Sequence, residues 1–598
     1  MASMVRPWRE RVRRLFKRTQ PPAAPPPDAR PPAQPDAWLE AGLARLFQGE
    51  VAAVATLALA RLRTDPQDLD ARALFAAARR RGGGADEVGD LLRAVLAARH
   101  DHALAHAELA AVLLDAGERE AALDHSLLAQ TFGAGRTVAG MAAVVEARLL
   151  AAGGDLAAAL AALDRAGAAA DGNPDAWLER ASLLARLGRP AEAADAYRAA
   201  IARAPAHAAA WTNLGLVHLT QLGDPAAALG CFRRATALAP ELAAAQANLA
   251  LALDELGQPD AALAHLDALL AAHPGVAEYR WNRAVIGLRQ GDFARGWDDY
   301  EARHQRTRGA GPRHFPLPEW DGRTLGAGAA LLIHGEQGVG DEIMFASCIP
   351  EAHGRAGAVV LECDVRLASL FARSFPGVRV HGAPRDGDRR WLAAHPAVVC
   401  QSAIGALPRF LRREAAAFPA HGGYLQPDPA RVAHWRGRLA TGGAADVMGI
   451  AWRGGTTKNR AALRTMPLAA WAPVLKTPGV RWMVLQHDAT AAELAEIQTL
   501  TGNAPLRPDL DPSDLDGLAA LTGALDRVIT VDNTLAHLAG ALGRPVWIVL
   551  PQAADWRWGR AGDRTVWYPA ARLWRQAAAG DWSAVAAALA NALRADAA

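Results

Sequence analysis

The first half of the chain repeats itself with a period of about 34 residues. An anchor residue is followed by a glycine eleven positions later in seven places and twelve positions later in an eighth. Successive anchors are separated by 34, 34, 37, 34, 34, 35 and 34 residues, a regularity that chance does not maintain. Such a period is typical of stacked helix pairs, each of which buries its apolar face only against its neighbours. The pairs are Trp38/Gly49, Arg72/Gly83, His106/Gly117, Ala143/Gly154, Trp177/Gly188, Trp211/Gly223, Gln246/Gly257 and Arg280/Gly291.

Small, aromatic and proline residues recur at fixed positions within the best copies. Small residues let two helices approach closely, an aromatic side chain fills the space between them, and proline ends the second helix. This pattern resembles the tetratricopeptide repeat family, which implies an all-α superhelix of about eight repeats over residues 36–305. The copy anchored at Ala143 fits least well, because its anchor and its spacing both deviate. The clearest copy contains Trp177, Ala181, Gly188, Ala193, Tyr197, Ala200 and Pro205.

A tetratricopeptide superhelix has a concave face that binds extended peptides or protein partners. The resemblance therefore implies a protein partner for residues 36–305. The alternative is an array that only dimerises the protein or supports the second half of the chain, and the fold by itself does not decide between these roles.

Basic residues are concentrated at the N-terminus. Residues 1–20 contain seven basic side chains and one acidic one, so their net charge is +6. Because the whole chain has a net charge of +3, the remaining residues carry −3. Such a body has no general electrostatic reason to bind nucleic acid. Apolar residues at near-helical spacing in this basic tail favour peripheral contact with an anionic membrane or a partner, and a disordered tail is the alternative. Residues 21–35 hold eight prolines and are predicted to form an extended linker.

The four cysteines lie far apart, without a CxxC pair or a histidine at metal-ligand spacing. A reducing compartment is the simplest interpretation. No apolar stretch approaches the length of about 18 residues that indicates a membrane span, and no signal-peptide segment follows the basic tail. We therefore expect a cytoplasmic protein. The cysteines are Cys231, Cys348, Cys363 and Cys400.

From about residue 320 the repeat gives way to short apolar runs that alternate with helical patterns. This alternation predicts parallel sheets, with ligands at the carboxyl ends of the strands. We expect an α/β region of two Rossmann-like units, residues 320–440 and 445–598, connected by residues 426–446 and enclosing a cleft for chemistry. The predicted strands are residues 329–333, 358–361 and 397–399, and then 447–451, 482–485, 528–531 and 546–550.

A glycine-rich loop follows the first predicted strand and opens an apolar helix. The backbone at Gly338 and Gly340 can approach a ligand closely, and the helix N-terminus offers N–H groups to an anion. The spacing GxxGxG differs from the dinucleotide fingerprint GxGxxG. Asp341, where the loop meets the helix, is a candidate general base, and capping of the helix is its alternative role.

A second loop runs from a strand end into a helix of small residues. Asp532 or Thr534 is expected to cap this helix, and its first N–H groups suit a phosphate. His537 lies one turn inside the helix on the same face, where it can bind a phosphate or serve as a buried structural histidine.

A third loop places cations after another strand. Arg453, Gly454 and Lys458 follow the strand at 447–451, and Arg464 precedes the next helix. Together these residues can supply positive charge and flexible backbone to an anion site. For each cation alone, a solvated surface role is the alternative.

Aromatic residues cluster after the last predicted strand, in Asp555–Trp558 and Trp567–Pro569. They can stack on a base or a sugar, or they can pack the C-terminal helix against the domain. The acidic run at 509–516 resembles a metal-binding DxD motif, but its position before a helix favours capping and solvation. The chain contains neither HExxH nor GxSxG, which sets aside the zinc protease and hydrolase classes that use them.

Together, the motifs of residues 320–598 resemble those of the ADP-heptose:lipopolysaccharide heptosyltransferases of glycosyltransferase family 9. The resemblance rests on GEQGVGDE, GIAWRGG, ITVDNTLAHLAGALGRPVW, DWRW and WYPAARLWRQ. It implies a GT-B fold, metal-independent transfer from a nucleotide-sugar donor without a further cofactor, and Asp341 as the base. Asn533 stands where the family has Thr or Ser, and the loop after Trp452 also differs, so the donor sugar and nucleotide stay open. The implied donor-site residues are Gly338, Gly340, Arg453, Gly454, Lys458, Arg464, Gln486, Asp532, Asn533, Thr534 and His537.

The pairing of repeats with such a domain resembles the O-GlcNAc transferases and the alphaproteobacterial flagellin glycosyltransferases, in which the repeats recruit a polypeptide acceptor. This resemblance implies transfer of a sugar to a protein acceptor, with flagellin as the leading candidate. One alternative is an enzyme of lipopolysaccharide or envelope polysaccharide assembly. Another is a repeat adaptor whose transferase domain is inactive.

Overall fold

The computed structural model describes residues 37–84, 87–133, 136–167, 171–306, 313, 315–383, 389–441, 446–454 and 463–596. The predicted basic tail, the predicted linker and Lys458 lie outside this part of the chain. The described residues form two compact units. One runs to Leu183 and includes Ala199–Ala206, and the other comprises Leu184–Arg198 and the chain from His207 onward.

The described residues between 37 and 305 are helical and form eight consecutive helix pairs, which we call the repeat array. The first four pairs are α1 (Ala37–Phe47) and α2 (Val51–Thr64), α3 (Leu69–Arg81) and α4 (Val88–Ala98), α5 (Ala103–Asp115) and α6 (Arg119–Phe132), and α7 (Arg136–Ala152) and α8 (Leu156–Ala166). The last four are α9 (Pro174–Arg186) and α10 (Pro190–Arg203), α11 (Ala208–Val217) and α12 (Pro225–Leu238), α13 (Ala243–Glu255) and α14 (Pro259–Ala272), and α15 (Ala277–Gln290) and α16 (Phe293–Tyr300).

The periodic glycines mark the turn inside each helix pair. All eight have a positive φ, from 67° at Gly223 to 90° at Gly154. Glycine adopts this left-handed conformation without the steric cost that a Cβ would add. The 34-residue period is therefore the spacing of the turns that reverse the chain between paired helices, and the predicted all-α repeats are confirmed.

Two deviations from the period have structural explanations. The extra residue between Trp211 and Gly223 is taken up by a π-helical segment, His218–Leu222, which continues α11. A π-turn accommodates one more residue than an α-turn. The long spacing before Ala143 reflects α7, which has 17 residues where α5 has 13 and so begins about one turn earlier.

Two parallel sheets follow the repeat array. Sheet A has the strand order β3-β2-β1-β4, with β1 (Ala330–His334), β2 (Val359–Asp364), β3 (Arg379–Ala383) and β4 (Val398–Ala403). Sheet B has the order β6-β5-β7-β8-β9, with β5 (Asp446–Ala451), β6 (Val480–Val484), β7 (Arg527–Val531), β8 (Val546–Leu550) and β9 (Ala571–Arg575). The predicted α/β region with parallel sheets is confirmed, and all strand pairs within both sheets are parallel.

Helices connect the strands of both sheets. Those around sheet A are α17 (Val339–Phe345), α18 (Ile349–Ala356), α19 (Ala368–Ser374) and α20 (Pro408–Leu411), followed by α21 (Pro429–Ala440). Those around sheet B are α22 (Ala472–Leu475), α23 (Ala491–Thr501), α24 (Leu515–Ala524), α25 (Thr534–Ala541) and α26 (Ser583–Asp596).

The sequence missed two edge strands and the helix in the connection. β3 and β9 lie at sheet edges and carry partly exposed polar residues, so they lack the continuous apolar run of a central strand. The connection at 426–446 contains α21, a helix that the sequence analysis did not predict. Asp428 accepts hydrogen bonds from two N–H groups of the first turn, and Pro429 occupies a position that proline favours at a helix start.

The end of the repeat array packs into the hydrophobic core beside sheet A. Leu288 of α15 and Trp297 of α16 share one buried cluster with Ile333 of β1 and Phe345 of α17. Trp297 is 1% exposed, and its indole N–H donates to the carbonyl oxygen of Arg412 at 2.9 Å. The last helix pair is therefore part of the core of the α/β region.

A buried ion-pair network joins the repeat array to the segment after β8. Nη1 of Arg289 lies 2.6 Å from Oδ2 of Asp254, and Nη1 of Arg560 lies 2.7 Å from Oδ1 of the same residue. Asp254 and Arg289 are both buried. Because an unpaired buried charge is costly, these pairs fix the last repeats against the second sheet region.

Candidate functional site

The loops singled out by the sequence lie where the strand order reverses. In sheet A, β2 and β3 lie on one side of β1, and β4 lies on its other side. In sheet B, β6 lies on one side of β5, and β7 lies on its other side. Loops at such a switch point diverge and leave a crevice for ligands. The loop 335–338 follows β1, the loop beginning at Trp452 follows β5, and the loop 532–533 follows β7.

Asp341 lies in the first turn of α17 and has two partners. The backbone N–H of Gly338 donates to its Oδ2 at 3.2 Å, so the side chain takes part in capping the helix. Arg557 donates to Oδ1 through Nε at 3.0 Å and through Nη2 at 2.5 Å. The candidate base is thus ion-paired with an arginine that lies 216 residues away in the sequence.

Arg557 bridges two carboxylates. Its Nη1 donates to Oδ1 of Asp555 at 2.6 Å, and its guanidinium lies 4.5 Å from the centre of the Trp556 ring. Burial opposes the charge of Arg557, but Asp341 and Asp555 raise its pKa well above the ordinary value. Burial also opposes ionisation of Asp555, whose pKa Arg557 and Arg464 nevertheless lower to about 2.

The helix α25 is capped by Asn533. Its Oδ1 accepts the N–H of Ala536 at 3.2 Å, and its Nδ2 donates to the carbonyl oxygen of Arg453 at 3.1 Å. The expectation that Asp532 or Thr534 would cap this helix was wrong, because Asn533 is the residue with the extended backbone that a cap requires. Thr534 is the first helical residue.

Asp532 is engaged by Arg464. Nε of Arg464 lies 3.1 Å from Oδ2 of Asp532, and Nη2 donates to its backbone carbonyl at 2.6 Å. Burial raises the pKa of Asp532, and the positive charge of Arg464 opposes that shift. Arg464 therefore lies beside the start of α25.

The first turns of α17 and α25 are neighbours. A Cβ added to Gly340 would lie 3.2 Å from Cδ2 of His537 and 3.5 Å from Oγ1 of Thr534. The glycine thus permits two helix N-termini, one from each sheet region, to approach each other. We call Asp341, Arg464, Asp532, His537, Asp555 and Arg557 the Asp341 site.

His537 is buried and neutral in this arrangement. Its Nδ1 lies 2.9 Å from the hydroxyl of Tyr568, and its ring stacks on Trp558 with the ring centres 5.0 Å apart. Burial, with the positive charge of Arg557, lowers the pKa of His537 to about 3. Both the contacts and the pKa favour a structural histidine over a cationic phosphate ligand.

The low pKa of His537 predicts a pH-dependent stability. Between about pH 6.5 and pH 3 the unfolded state binds a proton that the folded state does not, so stability falls as the pH is lowered. When the pH is lowered from 7 to 5, we expect the unfolding free energy of wild type to fall by about 2 kcal/mol more than that of His537→Gln. Urea titrations at the two pH values measure this difference. The exposed His434 of α21 is the control, and an equal pH effect in His434→Gln would contradict the assignment.

Arg453 and Gln486 have structural partners next to the Asp341 site. Oε1 of Gln486 accepts the backbone N–H groups of Trp452 and Arg453 at 3.1 and 3.0 Å. The guanidinium of Arg453 pairs with Glu493 and with Asp488. Burial opposes ionisation of Glu493, but its hydrogen bonds with Thr490 and Arg453 lower its pKa to about 2.

These contacts place the side chain of Arg453 on the α23 side of its loop. The only described link between this residue and the start of α25 is its carbonyl oxygen, which Asn533 contacts. The side chain of Arg453 thus pairs with acidic residues outside the Asp341 site, while its backbone carbonyl contacts the residue that caps α25.

Gly454 is required by a close approach of two loops. An added Cβ would lie 2.4 Å from the carbonyl oxygen of Asp532 and 3.0 Å from Cβ of Asn533. We expect Gly454→Ala to lower the unfolding free energy by about 1–3 kcal/mol, because the backbone must shift. Gly437 of α21, whose added Cβ meets nothing within 4 Å, is the matched control. Gly437→Ala should gain up to about 1 kcal/mol in the same urea titration, and equal effects of the two variants would contradict the steric explanation.

Two residues of the Asp341 site, Asp555 and Arg557, were not predicted as site residues. The sequence placed them, with Tyr568, in an aromatic cluster that either stacks on a base or a sugar or packs the C-terminal helix. The alternation of charged and aromatic residues in DWRW was the available signal. The motif alone does not identify the partner of Arg557, because Asp341 lies far away in the sequence.

Comparison with known proteins agrees with the helical part of this description. The tetratricopeptide repeat family matches residues 144–207, 178–243 and 247–312. Protein FlbA of Caulobacter vibrioides is 34% identical over 433 residues, which is 69% of this chain and 72% of that protein. The chain belongs to the FlbA family. The FlbA similarity is longer than all the repeat matches together, so it includes sequence outside them.

Solved structures resemble parts of this FlbA-family chain at low identity. The hetero-tetramer of Cut9 and Hcn1 is 19% identical with a TM-score of 0.39, covering 44% of this chain and 52%, about half, of that one. PilW, a type IV pilus biogenesis factor, is 17% identical with a TM-score of 0.31, covering 36% of this chain and 97% of that one. YrrB, a tetratricopeptide protein, is 19% identical with a TM-score of 0.22, covering 32% and 96%.

Two further observations concern the described residues of this FlbA-family chain. None of their helices is both long enough and apolar enough to cross a membrane. No three of their histidine, cysteine and acidic side chains are grouped so as to hold a metal ion. The cytoplasmic location, the membrane contact of residues 1–20 and the metal independence of the reaction stay predictions.

Proposed function

We propose that the chain is a GT-B glycosyltransferase that transfers a sugar from a nucleotide-sugar donor to a protein acceptor bound by the repeat array. One observation supports the proposal: Gly340, which precedes Asp341 in the first turn of α17 beyond β1 of sheet A, lies against Thr534 and His537 of α25, beyond β7 of sheet B. A general base and a helix N-terminus suited to phosphate are the two groups that this reaction needs close together.

In the proposed step, Asp341 takes the proton of an acceptor hydroxyl. The oxygen of that hydroxyl bonds to the anomeric carbon of the donor. The bond between that carbon and the phosphate oxygen breaks, and its electron pair stays with the nucleoside diphosphate. The N–H groups of the first turn of α25 and the guanidinium of Arg464 stabilise the charge of this leaving group. Asp341 then returns its proton to solvent.

The repeat array supplies the acceptor in this proposal. Tetratricopeptide repeats are a protein-interaction module, and eight helix pairs precede the sheets. The final pair contacts the loop that leads to Asp341: the hydroxyl of Tyr300 lies 2.9 Å from Nε2 of Gln337, and Arg303 pairs with the buried Glu336. A polypeptide on these last repeats is thus held close to the proposed base. Flagellin is the first acceptor to test, on the resemblance described above.

A screen of nucleotide sugars against the full-length protein tests the proposal. Binding to the folded state raises the unfolding temperature, so a specific donor will be identified by a thermal shift that the free sugar does not cause. The protein is then incubated with that donor, carrying a labelled sugar, and with purified flagellin. Labelled flagellin is the expected result. Absence of any nucleotide-sugar binding would overturn the proposal.

The ion pairs of the loops favour a second candidate, an adaptor with an inactive transferase domain. Arg453, Arg464 and Arg557 each already pair with carboxylates, and a phosphate must compete with these partners. A protein that captures partners through its repeats but neither binds nor hydrolyses nucleotide sugars would be such an adaptor.

A pull-down distinguishes the proposed protein glycosylation from a role in envelope polysaccharide assembly by the identity of the captured partner. The bait must be the full chain, because the last helix pair is buried in the α/β core and does not form a separate fragment. Capture of a glycosylated protein acceptor supports the first proposal, and capture of envelope-assembly proteins supports this alternative.

A further inference from the structure

The contacts of Asp341 leave little room for an acceptor hydroxyl. Its Oδ1 receives two N–H groups from Arg557, and its Oδ2 receives the N–H of Gly338. A carboxylate has about four lone-pair sites, so these three hydrogen bonds leave one, on Oδ2, until a partner is released. The Gly338 bond belongs to the helix cap, so the Arg557 pair is the one that can exchange.

Arg557 is placed to exchange partners. It is held by Asp555 through Nη1 and lies on the Trp556 ring, so it can keep these two contacts while Nε and Nη2 change partner. Its positive charge acts on His537, one turn inside α25, and on Asp532 at the start of that helix. A guanidinium binds phosphate oxygens with the same two-pronged geometry that it uses for carboxylates.

From these contacts we infer that Arg557 is a positioning residue that masks Asp341 until a nucleoside diphosphate group binds at the start of α25 and draws the guanidinium away. The inference rests on the proposed function and adds an order of events to it. The base becomes available only when the donor is in place, so the donor must bind before the acceptor loses its proton. No bond is made or broken in the exchange, since one ion pair replaces another.

The inference predicts a thermodynamic competition between Asp341 and the diphosphate for Arg557. Removing the charge of Asp341 frees the guanidinium, so Asp341→Asn should bind a nucleoside diphosphate roughly tenfold more tightly than wild type. Arg557→Gln should bind it roughly tenfold more weakly, with unchanged affinity for the corresponding nucleoside, which has no phosphate. If Arg557 transmits the effect, Asp341→Asn adds nothing in the Arg557→Gln background.

Isothermal titration of the full-length protein with ADP, GDP, UDP and CDP, and with the nucleosides, measures this double-mutant cycle. Arg572→Gln is the control, because Arg572 forms an exposed pair with Asp563 and should bind like wild type. If Arg557→Gln does not fold, Arg557→Lys replaces it. The lysine ammonium keeps the positive charge but lacks the planar set of N–H donors with which a guanidinium binds two anions at once.

The outcomes separate the inference from the proposed function. Tighter binding by Asp341→Asn that disappears in the double variant supports the masking role. Equal affinity of wild type and Asp341→Asn would overturn the masking role and leave the glycosyltransferase proposal standing. Tighter binding that persists in the double variant would also overturn it, because charge removal alone would then explain the effect. Failure of every variant to bind any of the nucleoside diphosphates overturns both.

Discussion

Asp341→Asn is expected to lower the rate of sugar transfer by about 10²–10⁴-fold, the usual contribution of a positioned general base. The amide of asparagine cannot take the acceptor proton at neutral pH, although it has nearly the shape of the carboxylate and can still accept the N–H of Gly338. The protein should fold normally and bind the donor nucleotide at least as tightly as wild type, because the substitution releases Arg557. Single-turnover transfer of a labelled sugar, with saturating donor, measures the chemical step separately from binding.

A matched variant tests whether the loss belongs to Asp341. Asp563 is an exposed aspartate paired with Arg572 outside the Asp341 site, so Asp563→Asn removes the same charge without removing a base. Its single-turnover rate should equal that of wild type. Near-normal transfer by Asp341→Asn would remove this residue from the role of base and would favour an acceptor that is deprotonated by another group.

Trp297→Ala is expected to lower the stability of the α/β region by about 3–5 kcal/mol, although the residue belongs to the repeat array. Trp297 is 1% exposed and lies within 5.4 Å, between ring centres, of both Tyr300 and Trp556. Its removal opens a cavity and leaves the carbonyl oxygen of Arg412 without the indole donor. Hydrogen exchange of the β1 amides, which lie in the same buried cluster, reports the effect on the sheet.

Trp177 provides the comparison, since it is a partly exposed tryptophan at an anchor position of the repeat. Trp177→Ala should leave the protection of the β1 amides unchanged. If Trp297→Ala also leaves β1 unchanged and destabilises only the helices, the last helix pair and sheet A would unfold independently, contrary to their shared core.

Features set by local sequence were predicted well. The turn at each periodic glycine needs a positive φ, which is a property of one residue, so the eight repeats could be read from spacing alone. The seven predicted strands are continuous apolar runs, and each overlaps a strand of the structure. The edge strands β3 and β9 were missed because their partly exposed faces do not need such runs.

Features set by distant contacts were not predictable in the same way. The three loops could be located because each follows a strand, but the partners of their charges could not. Arg453, which the sequence assigned to the donor site, pairs with Glu493 and Asp488 of the neighbouring segment. Arg557 was not assigned at all, although it holds Asp341. Charged side chains select partners through the fold, which one sequence does not reveal.

The burial of the last helix pair limits which repeats of such a protein can be gained or lost. In repeat proteins each copy packs mainly on its neighbours, so copies can be gained or lost along an array without disturbing a sheet. The pair containing Trp297 cannot be exchanged in this way, because Phe345 and Trp556 are packed around it. In the proposed function, the repeats that bind the acceptor therefore end in a pair that cannot be replaced, and repeats added elsewhere would enlarge the binding surface without altering the contacts of that pair with the sheets.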